Sequence, residues 1–128
     1  MKTITTWKTG QAFESAYKNN KIETDGNAFS PKALLLTGLA ACSGIDVVDI
    51  LEKMRVPFAS LEIDVETEQT EDHPRIFKDI HIIYKVKMEE ANRDKLRKAI
   101  DLSLDNYCGV AAMLKKNSRI LYEIRIEE

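Results

Sequence analysis

Two side chains in this sequence are thiols, Cys42 and Cys108, separated by 66 residues. A thiolate is the strongest nucleophile a protein carries at neutral pH, and two thiols that meet can cycle between dithiol and disulfide. Cys42 lies in LAACSGID and Cys108 in LDNYCGVAA, each in a stretch that reads as the middle of an apolar helix. Small residues crowd both: Gly38, Ala41 and Gly44 around the first, Gly109, Ala111 and Ala112 after the second. Glycine inside a helix costs about 1 kcal/mol relative to alanine, so its presence there asks for a geometric reason. Close approach of two helix backbones is one such reason, since a disulfide needs Cα atoms within roughly 7 Å. Spacing alone leaves a second reading open, because free cysteine is among the most buried residue types and two inert core thiols fit the same pattern.

Other reactive side chains carry less. Asp46 and Asp49 fall four and seven residues after Cys42, on one helical face. They could orient a thiol or a cation, but a face turning to solvent or to a partner subunit is the preferred reading. His73 falls in a turn and His81 on the polar face of a strand, neither at zinc-ligand spacing, so no metal is expected. Tyr107 falls on the apolar stripe of its helix and reads as core. Arg93, Lys95, Arg97 and Lys98 interleave with Asp94 and Asp101 as a solvated face. No phosphate-binding glycine loop, acyl-transfer triad or recognisable carboxylate dyad is present, and no cofactor is expected.

The elements that must position the thiols follow from periodicity. Weak alternation over Thr3 to Trp7 and Phe13 to Tyr17, with turn residues at Lys8-Thr9-Gly10 and Asn19-Asn20, predicts three short antiparallel strands. Ser30-Pro31 caps and opens a helix that runs to about Arg55, where Val56-Pro57 stops it. Its first half is apolar on every side and belongs at the centre. Leu61, Ile63 and Val65 form one face of a fourth strand. Ile80, Ile82, Tyr84 and Val86 form one face of a fifth, with Ile83 out of pattern. A second helix from about Asn92 to Lys116-Asn117 carries Leu96, Ile100, Leu104, Tyr107, Ala111 and Leu114, and RILYEIRIE closes the chain as a strand. The expected class is α+β, in the order βββ-α-ββ-α-β, one domain over residues 1–128.

A net charge of -2, with 19 basic and 21 acidic side chains intermixed, offers no footprint for nucleic acid or an anionic membrane. The apolar run from Ala33 to Leu51 nears spanning length, but Asp46 and Asp49 interrupt it, so it reads as a buried helix and no membrane association is expected. MKTITTWKTG lacks the apolar core of a secretory signal, and a cytoplasmic, reducing location is expected.

The run SPKALLLTGLAACSGIDVVDILEKMR, followed by LSLDNYCGVAAMLKK, resembles the paired helix signatures of the OsmC/Ohr family of hydroperoxide reductases. The likeness lies in the Pro-initiated helix leading to Ala-Ala-Cys, in the Tyr-Cys pair of the second signature, and in the order of elements. It implies two central helices packed on antiparallel sheet in an interwoven homodimer. It also implies that Cys42 is the peroxidatic nucleophile and Cys108 the resolving thiol, reset by an external, lipoyl-type dithiol, with an apolar pocket favouring organic hydroperoxides.

One departure bears on the chemistry. The family's arginine, held by a glutamate ten residues before the reactive cysteine, keeps that cysteine ionised. Here Lys32 occupies the glutamate position and no arginine precedes Arg55. An unassisted thiol with pKa near 8.5 is only about 3 per cent ionised at neutral pH, and a helix terminus more than a turn away does not help. Lys8, Lys18, Lys21 and Lys32 are the candidate cations, although an amine lacks the fixed fork of guanidinium. The resemblance therefore implies a slow or atypical hydroperoxide reductase. A dimeric module binding a small hydrophobic ligand and a thiol redox sensor are the alternatives.

Overall fold

The computed structural model describes residues 1–128 and divides into two compact units, Met1–Thr37 and Gly38–Glu128, the division falling inside the first helix.

In the N-terminal unit, β1 (Ile4–Thr9), β2 (Ala12–Tyr17) and β3 (Asn20–Asp25) form an antiparallel meander. Both turns use left-handed backbone, at Gly10 (φ 55°) and at Lys18 (φ 55°), as tight hairpins require. Trp7 lies opposite Phe13 and Ser15 opposite Ile22, so one face gathers Trp7, Phe13, Tyr17 and Ile22, all exposed within this chain. The other face carries Glu14 between Lys8 and Lys21.

Helix α1 (Pro31–Lys53) begins as the sequence predicts. The Ser30 hydroxyl accepts from the Ala33 amide at 3.2 Å, and Pro31 takes the first helical position. It ends where Arg55 turns left-handed (φ 57°) and the Val56 amide donates back to the Leu51 carbonyl at 2.9 Å. The helix is long and apolar enough, by length and composition alone, to cross a membrane. Leu39, Ser43, Val47 and Leu51 form a four-residue-step stripe buried in protein.

The C-terminal unit is built on β4 (Ser60–Gln69), β5 (Phe77–Lys87) and β6 (Ile120–Glu127), with β5 in the middle. β4 runs antiparallel to β5 as expected, but β6 runs parallel to it, so this sheet is mixed rather than wholly antiparallel. The reason is the connection: a helical crossover carries the chain back to the end of the sheet where β5 begins, so β6 sets off in the same direction. The central position also explains Ile83, which breaks the alternation yet is buried between flanking strands. Ile80, Ile82, Tyr84 and Val86 pack in one core with the α1 stripe and with Leu96, Ala99 and Ile100.

The second helix is not continuous. After a short 3₁₀ turn (Glu90–Asn92), α2 (Arg93–Leu102) passes into a single π-helical turn (Ser103–Tyr107), and α3 (Gly109–Leu114) is a separate short helix. The inserted residue re-phases the apolar stripe. Cys108 takes the buried place, and Tyr107, expected in the core, is 64% exposed.

Candidate functional site

Cys42 sits half-buried in the regular helical backbone of α1, as expected. Cys108 does not lie mid-helix: it occupies the break, with extended backbone (φ -76°, ψ 102°) as the N-cap of α3. Its amide donates to the Ser103 carbonyl at 2.7 Å, closing the π turn, and its Sγ accepts from the Ala111 amide at 3.3 Å. Both cysteines are free, and Cys42 is a near enough neighbour to act on the Cys108 thiol.

Burial pushes the Cys108 thiol up to about 11. The neighbouring Cys42 and the Asp46 carboxylate act in the same direction, and the Ala111 amide opposes them. At neutral pH Cys108 is therefore a protonated thiol.

Beside the thiols lies a cluster of polar side chains. The Ser43 hydroxyl and the Tyr84 hydroxyl are 2.6 Å apart, and the Ser103 hydroxyl donates toward Asp46 Oδ2 at 2.9 Å with Ser43 Oγ at 3.0 Å. Ser43, Tyr84 and Ser103 are fully buried. Burial raises the Tyr84 phenol to about 12, against the Ser43 hydrogen bond that lowers it, while Cys108 and Asp46 add in the raising direction. Asp46 thus faces this cluster rather than solvent, contrary to the preferred sequence reading, whereas Asp49 is exposed as expected. The two residues lie only about 60° apart around the helix, so the edge of the buried face falls between them, a boundary that periodicity does not locate.

Glycine spacing has a narrower meaning than expected. A side chain at Gly44 would meet Ile63 Cδ1 at 3.0 Å, so this glycine lets α1 approach a strand, not a second helix. A Cβ at Gly38 or Gly109 would meet nothing within 4 Å. Along that same side of α1 runs an open apolar groove of about 740 Å³, bounded by Ala41, Gly44, Ile45, Val48, Phe58 and Ile63.

Four of the C-terminal unit's arginines are engaged with surface carboxylates: Arg93 with Glu90, Arg97 with Asp94, Arg119 with Asp79 and Arg125 with Glu123. Among the candidate lysines, Lys8 and Lys21 pair with Glu14, and Lys18 lies over the Tyr17 ring at 5.3 Å.

A family model for OsmC-like proteins matches residues 24–123. The chain belongs to the OsmC-like family. Within it, the chain is 35% identical over 126 residues to Protein YhfA of Escherichia coli, covering 94% of this chain and 93% of that one. A crystal structure of a hypothetical protein from Aquifex aeolicus superimposes with a TM-score of 0.86 at 30% identity, covering 99% and 97% of the two chains. The organic hydroperoxide resistance protein OhrB of Bacillus subtilis shares the fold, with a TM-score of 0.66 at 18% identity and 98% coverage of both chains.

Sequence reasoning did not pick out Ser43, Tyr84 or Ser103. Tyr84 reads only as part of a strand's buried face and the two serines carry no pattern of their own, so only the pairing of β5, α1 and the π turn joins them. A signal for the break did exist. Asp105-Asn106 and Gly109 are weak helix formers, placed on either side of Cys108 in what reads as one long helix.

Proposed function

We propose that the chain is a thiol-dependent hydroperoxide reductase in which Cys42 reacts first and Cys108 resolves, working slowly in this member. The observation that supports this most is the asymmetric thiol pair: a half-buried thiol on a regular helix, neighbouring a buried, protonated one at a helix break. In the first step the Cys42 thiolate attacks the O–O bond of ROOH. ROH leaves after taking a proton, and Cys42 becomes a sulfenic acid. In the second step Cys108 Sγ attacks the Cys42 sulfur, the thiol proton leaves with the hydroxyl as water, and a disulfide forms. A dithiol reductant then supplies two electrons and two protons to restore both thiols. Membership of the OsmC-like family supports this reading, and so does the shared fold with a hydroperoxide resistance protein.

The reaction places no demand on Cys108 until the second step, which matches its raised thiol. It does demand ionisation of Cys42, and in this sequence no arginine precedes Arg55 to supply a guanidinium from the N-terminal strands. Turnover of an organic hydroperoxide with a lipoyl-type dithiol tests the proposal. The native chain should consume peroxide, with a rate that rises from pH 6 to pH 10, and Cys42→Ser should not. Equal rates in the two would refute it.

The groove along α1 favours a second reading, a module that holds a small hydrophobic ligand. A fluorescent apolar probe that binds while Cys42 stays inert to hydroperoxide would select it. We further infer a cytoplasmic homodimer. The apolar face of Trp7, Phe13, Tyr17 and Ile22, with Ile45 and Met113 exposed elsewhere, is large for a monomer and suited to a second copy. Sedimentation at micromolar concentration should give twice the chain mass, and a stable folded monomer would exclude it.

A further inference from the structure

Cys42 and Cys108 belong to segments with no covalent reason to stay in register. Cys42 is on α1, and Cys108 follows a π turn 60 residues beyond its neighbour Ser43. What joins the segments is polar. Ser43 directly follows Cys42, and Ser103 supplies the carbonyl that holds the Cys108 amide. The hydroxyls of Ser43 and Ser103 are 3.0 Å apart. Asp46, one turn along α1 from Cys42, accepts from Ser103, and Tyr84 of β5 closes the far side on Ser43.

Resting on the two-thiol reading above, we propose that the Ser43–Ser103–Asp46 cluster, braced by Tyr84, is a positioning device that fixes the encounter of Cys42 with Cys108. These are positioning residues, since none is required to touch the peroxide or to exchange a proton with it.

Three physical points carry this. Buried polar groups are a poor route to stability, because well-packed apolar residues of the same volume do as well or better, whereas a fully satisfied network selects one geometry. This network is satisfied: no buried side-chain nitrogen or oxygen lacks a partner. Second, a π turn is an uncommon insertion, here closed by the Cys108 amide on Ser103, the residue whose hydroxyl reaches α1. Third, a serine hydroxyl has a single proton, and Ser103 has acceptors on both Ser43 and Asp46. All of these acceptors lie on α1, so whichever one it serves, the π turn is tied to the helix carrying Cys42.

The test reads thiol geometry without hydroperoxide. Full-length native protein is equilibrated with reduced and oxidised dithiothreitol, and the fraction of Cys42–Cys108 disulfide is measured by mass after acid quench. In this exchange the protein loses two electrons and two protons to oxidised dithiothreitol. Ser103→Ala should shift the equilibrium toward the dithiol by about tenfold or more, because a small misplacement of one sulfur lowers the effective concentration of the pair steeply. Ser103→Thr, which keeps the hydroxyl, should return it toward native, and Asp46→Asn should fall between. Asp46 is only partly buried, so its amide variant decides the matter if Ser103→Ala does not fold. An unchanged equilibrium in the folded variants, with only the melting temperature lowered, would make the cluster structural and overturn the proposal. So would a native protein that forms no disulfide even with excess oxidised glutathione, a stronger oxidant. A shifted equilibrium in a protein whose Cys42 ignores hydroperoxides would leave the positioning role standing and remove the peroxidase reading instead.

Discussion

Cys42 and Cys108 stand in sequence surroundings that read alike, apolar and rich in small residues, and the folded chain treats them differently. The first keeps regular helical backbone and partial access to solvent. The second terminates a π turn, caps a new helix with its sulfur and is 3% exposed. The contrast teaches that two thiols in like sequence surroundings are told apart by backbone register before any charged residue enters, the asymmetry that the proposed division of roles requires. A partly exposed thiol can meet a substrate, while a buried neutral one is suited to an intramolecular step.

Removing each sulfur in turn breaks the comparison most severely. Cys42→Ser should abolish oxidation by hydroperoxide. Cys108→Ser should leave the first oxidation intact and let a sulfenic acid accumulate, detectable with a dione trapping reagent. Identical behaviour of the two variants would erase the proposed division of roles.

A smaller effect should follow from adding the missing cation. Arginine scanned across β1 to β3 together with Lys32→Glu should, at the productive position, raise the oxidation rate at pH 7 by about tenfold, because a fixed guanidinium beside a thiol favours its thiolate. Stopped-flow oxidation would show it. Fast, pH-independent oxidation of the native chain would mean that an activating group is already present.

Proton linkage sharpens the contrast from the other side. The folded chain holds the Cys108 proton up to about 11 and the Tyr84 proton up to about 12, both above their ordinary ranges. A raised acid favours the folded state while protonated, so this stability is fully present below about pH 9 and is lost as pH climbs through the folded values. The urea midpoint should therefore decline between pH 9 and pH 11, and Cys108→Ala should decline less steeply. Parallel declines would place the cause elsewhere.

The smallest effect is expected at Tyr107. Its exposed ring should make Tyr107→Ala change stability by no more than about 0.5 kcal/mol in the isolated chain, measured by denaturant unfolding. A loss several times larger would restore it to a core or interface.

Much of the scaffold was legible because it rests on local rules. Ser30-Pro31 opened α1 as capping chemistry requires, Val56-Pro57 marked its end, and alternation in β4 and β5 located the buried faces. The site was legible only as far as the two cysteines. The π turn is set by one extra residue, and helical periodicity running from Leu96 to Leu114 averages over a single insertion. The Asp46 to Tyr84 cluster depends on tertiary pairing among residues 41 and 60 apart, which no local pattern encodes. Parallel pairing of β6 was hidden for the same reason, since a strand's pattern does not reveal its direction.

The most direct test of the central claim is intact mass, without reductant, after one equivalent of organic hydroperoxide is added to the reduced native chain. The two-thiol account predicts the loss of two hydrogens, with the disulfide mapped to Cys42 and Cys108. A gain of one oxygen that persists in the native protein, or no change of mass at all, would contradict it.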